Sequence, residues 1–374
     1  TMVETRTRAF ACPTKYFQGV GEFDLVENYT SLYGKKAFFV IDGFLFEDLT
    51  KRLDKAYEST EAEYKAIKFG GECSYNEVDR VIEEFKAYGA DVLVGVGGGK
   101  TLDTSKAAAD KSGIPVIVIP TAASCDAPCS AMSVMYTDTG EYIHNIRHKK
   151  NPEMVLVDTD IVAKAPVRLF VAGMGDALST VFEGHANHTS FSPNYVGKGY
   201  RCTRTSIALA ELSFEILMEE GVEALKALKQ GVCTEAVEDV IEANILLSGV
   251  GFENTSCAAA HGIHAGLTQL PGTHSYLHGE KVAFGVICQM VMENTSRELF
   301  EQVMEFCDEV GLPITLEQLG VEATPENVMV IADTVVNHNK LIYAEPFKVT
   351  LEFVYNSIMA ADAMGRDYRK NKKN

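Results

Sequence analysis

Chemistry in this chain concentrates in three short stretches of its second half. Ala258-Ala259-Ala260-His261-Gly262-Ile263-His264-Ala265-Gly266 sets two imidazoles three residues apart, which places them on one face of a helix. His278 follows in Leu277-His278-Gly279-Glu280-Lys281, where another apolar helical pattern begins. Gly173-Met174-Gly175-Asp176-Ala177-Leu178-Ser179 adds a carboxylate, read as lying at the start of a helix, where capping and ligation are equally good explanations. Two imidazoles and one carboxylate converging on an ion would leave a coordination position open, as a catalytic zinc requires. Singly, each histidine is more simply a satisfied core residue, and only their grouping argues for metal. His185 and His188 share the same spacing, but FEGHANHTS around them reads as a solvated surface.

The first half carries a different signal. Gly97-Gly98-Gly99-Lys100-Thr101 stands between the apolar run ADVLVGV and a helical pattern starting near Thr101. Glycines let the backbone approach an anion closely, and the free N–H groups of a helix start present partial positive charge. A P-loop would need glycine at position 94, where Val94 stands, and a GxGxxG fingerprint fails at Lys100. A nonstandard pyrophosphate site and a ligand-free tight turn remain. GGGKT alone would also suit a phosphotransferase.

The elements that must hold these residues fall into two halves. Residues 36–42 form a buried strand ending at Asp42; KAIKFGG, ADVLVGVGGG, IPVIVIPT and MVLVDTDIV read as further strands. NEVDRVIEEFKAYG, closed by Gly89, and TLDTSKAAADKSG, closed by Gly113, are the helices between them. Strand and helix in alternation predict βαβ units and a parallel sheet. Beyond Pro166 only helical spacing recurs, in VEALKALKQG, EDVIEANILLSGVG, VAFGVICQMVMENTS, ELFEQVMEFCDEVG and ENVMVIADTVV. The expected fold class is therefore an α/β N-terminal domain (1–163) with a Rossmann-like parallel sheet, followed by an all-α, metal-binding domain (164–374).

Composition sets the limits. The 374 residues suffice for two domains, with 46% hydrophobic and 23% charged residues as in globular proteins. No run of 18 apolar residues occurs, TMVETRTRAF has no apolar stretch of signal-peptide type, and a formal charge of −18 disfavours nucleic-acid or anionic-membrane partners. Nine scattered cysteines without a CxxC pair point to reduced thiols and, with the rest, to a cytoplasmic location; Cys125 and Cys129 are not expected to form a structural metal site. The basic tail RDYRKNKKN is expected to be solvated.

GVGGGKTLDTSKA, IPTAASCDAPCSAMSVMY, GMGDALST and AAAHGIHAGL followed by LHGEKVAFG occur here in one order. In this the chain resembles the glycerol dehydrogenases of the iron-containing (group III) alcohol dehydrogenases, with a dehydroquinate synthase-like fold. The resemblance implies Asp176, His261 and His278 as metal ligands that also meet the substrate. It implies Gly97, Gly98, Gly99, Lys100 and Thr101 at the NAD pyrophosphate, and Asp42 at the adenosine ribose, where a carboxylate disfavours NADP. Thr121, Ser124, Ser130, Met132 and Tyr136 would line the dinucleotide, and Asp126 would contact substrate. His264 would lie near the nicotinamide without ligating, and could pass a proton outward. Iron-dependent relatives carry a histidine four residues after the ligating aspartate; here Thr180 stands there, which favours zinc.

The implied reaction is oxidation of glycerol to dihydroxyacetone with hydride passing to NAD, in a homo-oligomer whose partner is a small molecule. Other small alcohols such as 1,2-propanediol are the alternatives. Sugar-phosphate cyclases and a glycerol-1-phosphate dehydrogenase of the same fold are disfavoured, because few arginines accompany the metal motifs.

Overall fold

The computed structural model describes residues 6–372 and divides into two compact units, one covering residues 12–165 and the other residue 166 onward together with the described residues before Cys12. The helical unit thus reclaims the start of the chain, which the sequence reading assigns to the α/β domain. Residues 7–11 are fixed there by backbone pairing: Arg201 donates to the Thr7 carbonyl at 2.9 Å and Ala9 donates to the Arg201 carbonyl at 3.1 Å. The Asn254 carboxamide completes this by binding both the N–H and the carbonyl of Ala11 at 2.7 Å. Residues 1–5 of the stretch read for a leader, and Lys373 and Asn374 of the basic tail, lie outside the described residues.

In the α/β unit, β1 (Lys15–Gly19), β2 (Lys36–Ile41), β3 (Glu63–Lys68), β4 (Val92–Gly97), β5 (Val116–Pro120) and β8 (Met154–Asp158) form one parallel sheet ordered β1-β8-β5-β4-β2-β3. The helices are α1 (Val26–Thr30), α2 (Phe46–Tyr57), α3 (Tyr75–Tyr88), α4 (Gly99–Ser112) and α5 (Thr159–Lys164). Strands β2, β4, β5 and β8 are buried along nearly their whole length, which is why they read as continuous Val/Ile/Leu runs rather than alternating ones. One core joins Phe39, Ile41, Val94, Val96, Ile117, Ile119 and Leu156 to Leu49 and Leu53 of α2.

The parallel sheet and the helical second half bear out the expected fold class. Besides the helices α1 and α2, three features were not expected. β1 is an edge strand with little buried surface, so its sequence carries no strong signal. MVLVDTDIV is strand only to Asp158, whose side chain accepts from the Asp160 N–H and starts α5. The third is an antiparallel hairpin, β6 (Met132–Tyr136) with β7 (Tyr142–Arg147), whose outer strand is mostly exposed.

The helical unit comprises α6 (Val167–Ser190), α7 (Arg204–Lys229), α8 (Glu235–Glu242), α9 (Ser248–Thr255), α10 (Ala259–Leu267), α11 (His278–Met292), α12 (Arg297–Val310), α13 (Pro325–Asp333) and α14 (Leu351–Lys372). A π-turn, Ala243–Leu247, links α8 to α9 without a break. The basic tail as far as Lys372 is the end of α14, helical but largely exposed, with Lys372 paired to Asp308 at 2.8 Å. No helix among the described residues is long and apolar enough to cross a membrane.

Glycine decides how closely three of these helices approach. A Cβ on Gly279 would lie 1.7 Å from the Ala172 carbonyl oxygen, one on Gly175 2.3 Å from the Gly279 oxygen, and one on Gly285 2.3 Å from the Ala260 oxygen. α11 therefore touches α6 and α10 backbone to backbone, at the residues beside Asp176, His278 and His261.

Candidate active site

That crossing builds the cluster of the helical unit. Asp176 lies well inside α6, not at a helix start as its flanking glycines suggested; Gly175 instead serves the contact with α11. Its carboxylate is 1% exposed, and Oδ1 stands 3.1 Å from His278 Nε2 and 3.6 Å from His261 Nε2. One donor atom from each of the three lies within 4.8 Å of the other two, close enough to share an ion. A carboxylate buried mid-helix is costly unless a cation accompanies it. Burial alone would raise the Asp176 carboxyl, but the charge of His278 and hydrogen bonds from both imidazoles outweigh this and hold it well below the usual range. The donors, their convergence and their charge fit a divalent cation.

Each imidazole that faces Asp176 is held through its other nitrogen. His278 Nδ1 meets His264 Nε2 at 3.0 Å. Burial and the neighbouring His278 and His261 hold the His264 pKa well below the ordinary value, which keeps that ring neutral. His261 Nδ1 meets Glu183 Oε2 at 2.7 Å. Burial opposes charge on His261, yet its pKa lies well above the ordinary value, raised by Cys257, Glu183 and Asp176. Burial also raises the Cys257 thiol, so that sulfur is neutral and the two carboxylates carry the effect.

Glu183 escaped the sequence reading. It lies in FEGHANHTS, which was expected to be solvated; His185 is exposed, as expected, but Glu183 and Asn187 are 1% exposed and His188 is half-buried against Cys202. A helix crossing the interior hides one face even when its letters are polar. Spacing held the only signal, since Glu183 follows Asp176 by two helical turns. Glu183 Oε1 also accepts the N–H groups of Ala258 and His261, both at 2.8 Å. Glu345 and Gln289 take the next two, Ala259 at 3.1 Å and Ala260 at 3.0 Å. The start of α10, which has no capping side chain of its own, is anchored by side chains from remote elements.

The α/β unit carries the other expected residues, with Asp42 and the glycine loop at the carboxyl ends of the neighbouring strands β2 and β4. The chain runs from β2 outward to β3 and returns across to β4, making this the sheet's switch point, and α/β folds bind ligands at the carboxyl ends of such strands. Asp42 follows β2 and accepts from the Phe44 N–H at 3.1 Å. A Cβ on Gly97 would stand 2.8 Å from Thr101 Oγ1 and 3.0 Å from the Asp42 Cβ, so only glycine lets this turn close. α4 begins at Gly99 without a side-chain cap, unlike α3, which Ser74 caps. A Cβ on Gly98 would meet nothing within 4 Å, so there is space beside the helix start. Uncapped amides next to open space suit a pyrophosphate.

Thr121 donates its N–H to the Gly97 carbonyl at 3.1 Å, joining the loop after β5 to the glycine loop. In that loop Asp126 is buried at the start of the turn Ala127–Cys129, Ser124 is half-buried, and Cys125 Sγ would stand 3.6 Å from a Cβ on Gly99. Cys125 and Cys129 belong to neither group of potential metal ligands among the described residues. Met132 opens β6 half-buried, and Tyr136 ends it with burial and nearby acidic groups pushing its phenol up to about 12. Lys100 reaches Glu72 at 2.6 Å and stands 4.6 Å over the Tyr136 ring. Buried Lys106 was overlooked. It pairs with Asp103 at 2.9 Å and holds the carbonyls of Ala127 and Ser130 at 2.8 and 3.2 Å, while Asp103 receives the Val134 N–H at 2.9 Å. A lysine and an aspartate one turn apart read as a solvated pair until a loop and a hairpin cover them.

A parallel sheet with an uncapped glycine turn at its switch point, and a helical unit with a buried Asp-His-His cluster, define a metal-assisted nucleotide-dependent oxidoreductase class. The chain belongs to the iron-containing alcohol dehydrogenase family, whose model matches residues 13–159. It is 46% identical to a glycerol dehydrogenase of Thermotoga maritima, over 96% of this chain and 98% of the relative. A glycolaldehyde reductase of Halobacterium salinarum is 39% identical, over 97% of this chain and 99% of that one. The crystal structure of glycerol dehydrogenase from Schizosaccharomyces pombe superposes with a TM-score of 0.93 at 33% identity, covering 100% of this chain and 95% of that chain.

Proposed function

We propose that this protein is an NAD-dependent, zinc-assisted glycerol dehydrogenase that interconverts glycerol and dihydroxyacetone. The observation that carries the reading is the convergence of Asp176, His261 and His278 donors within 4.8 Å, in a chain whose relatives include glycerol dehydrogenases. When bound, the ion supplies a Lewis acid that lowers the pKa of a substrate hydroxyl, and NAD supplies the hydride acceptor.

The chain's own residues do the rest. Asp176, His261 and His278 hold the ion, and His264 and Glu183 orient the two imidazoles. Gly97, Gly98, Gly99, Lys100 and Thr101 receive the pyrophosphate, Asp42 binds the adenosine ribose, and Thr121, Ser124, Ser130, Met132 and Tyr136 line the dinucleotide. Asp126 accepts a hydrogen bond from a substrate hydroxyl. Zinc is favoured over iron because Thr180, one turn beyond Asp176, is no ligand: its hydroxyl meets Ser248 Oγ at 3.0 Å in the interior. A homo-oligomer in the cytoplasm completes the reading, as the family resemblance implies.

The test is NADH formation from glycerol by chelator-stripped protein, with and without added zinc. Turnover restored by zinc supports the proposal. Turnover with 1,2-propanediol or glycolaldehyde but not glycerol reassigns the substrate, and activity restored only by iron reassigns the metal.

A further inference from the structure

A histidine can hold a cation only through a nitrogen that carries no proton, so something must keep the proton on the other nitrogen. His261 turns Nε2 toward Asp176 and Nδ1 toward Glu183. Glu183 is 1% exposed, and its Oε1 already accepts two backbone N–H groups, which leaves Oε2 as the oxygen that faces the ring. A carboxylate oxygen facing a ring nitrogen at 2.7 Å is the acceptor of that contact, which places a proton on His261 Nδ1. The other candidate, Cys257, has a donor atom within reach of the same ring but is a thiol that burial keeps protonated.

We propose that Glu183 is the positioning residue of His261: its carboxylate fixes the imidazole as the Nδ1–H tautomer and fastens the start of α10, so that the Nε2 lone pair faces Asp176. This rests on the reading of Asp176, His261 and His278 as a metal centre. A mere helix cap would need only Oε1. The tautomer depends on Oε2, and one substitution separates the two roles. In Glu183→Gln the carboxamide oxygen still accepts from Ala258 and His261, but the NH2 group replaces Oε2 opposite Nδ1. Two donors then face each other, and the ring relieves this by moving its proton to Nε2, the ligating atom.

The experiment compares wild type, Glu183→Gln and Glu183→Ala for zinc affinity by chelator competition and for urea midpoint. The tautomer is read from the 15N shifts of histidine-labelled, ion-free protein at a pH where His261 is neutral. Glu183→Gln is expected to keep the wild-type midpoint, lose roughly 10- to 100-fold in zinc affinity, and show a pyridine-type Nδ1 where wild type shows a pyrrole-type one. Glu183→Ala is expected to lose both midpoint and affinity. Unchanged affinity and tautomer in Glu183→Gln overturn the proposal and leave Glu183 a cap only. Should that variant not fold, a pyridine-type Nδ1 in neutral wild-type His261 overturns it equally. A wild type that binds no zinc sinks the metal reading instead, and the ion-free tautomer still decides this one.

Discussion

Replacing Gly279 with alanine tests whether a backbone contact builds the proposed metal site. The new Cβ would lie 1.7 Å from the Ala172 carbonyl oxygen, 2.6 Å from its carbon and 3.1 Å from the Asp176 nitrogen. Carbon and oxygen tolerate approach to about 3.3 Å, so α11 must withdraw from α6 by about 1.5 Å. All three of these nearest atoms are backbone, leaving no side-chain rotamer to absorb the strain. Ligand distances in such centres are held to within about 0.2 Å, so the displacement carries His278 out of range of an ion shared with Asp176. Gly279→Ala is therefore expected to lose about 1–3 kcal/mol of stability from overpacking and roughly 100-fold or more in zinc affinity. Chelator competition and urea denaturation, on protein shown folded by circular dichroism, measure both. A folded Gly279→Ala protein that binds zinc as wild type does would refute the claim that this crossing positions the ligands.

Three other outcomes are expected. Asp176→Ala abolishes alcohol oxidation while NAD affinity, measured by titration calorimetry, stays near wild type; lost NAD binding with retained zinc would reverse the assignment. Gly98→Ala, at a position with φ −82° and no protein atom within 4 Å of the new Cβ, keeps the wild-type melting temperature but weakens NAD tenfold or more, and unaltered NAD binding would place the pyrophosphate elsewhere. Glu345, buried beside Glu293, has its pKa raised from 4.5 to about 9 by burial and by that neighbour's charge. Between those values the unfolded chain has released a proton that the folded one retains, so stability falls as pH rises, by about 3 kcal/mol from pH 6 to pH 8. Glu345→Gln keeps an acceptor for the Ala259 N–H and should flatten that slope in denaturation curves; parallel curves would show that Glu345 does not hold the proton.

The sequence by itself determined what is local. Burial on both faces of a parallel sheet makes its strands continuous apolar runs, so β2, β4, β5 and β8 were legible; the exposed edge β1 and the hairpin β6–β7 were not. The i, i+3 spacing of His261 and His264 already put both on one face of α10, and Gly89 and Gly113, with φ of 76° and 74°, do close their helices. What the tertiary structure decided is which distant groups meet. Asp176 and His278, 102 residues apart, come within 3.1 Å because Gly175 and Gly279 let two backbones touch, and Gly175 is one of the two glycines that suggest a helix start. Glu183, Gln289, Glu345 and Lys106 look like surface residues in their own segments and become buried anchors only once other elements close over them. Periodicity records which face of an element is covered, whereas the partner of a buried polar group is fixed by packing between segments that share no local pattern.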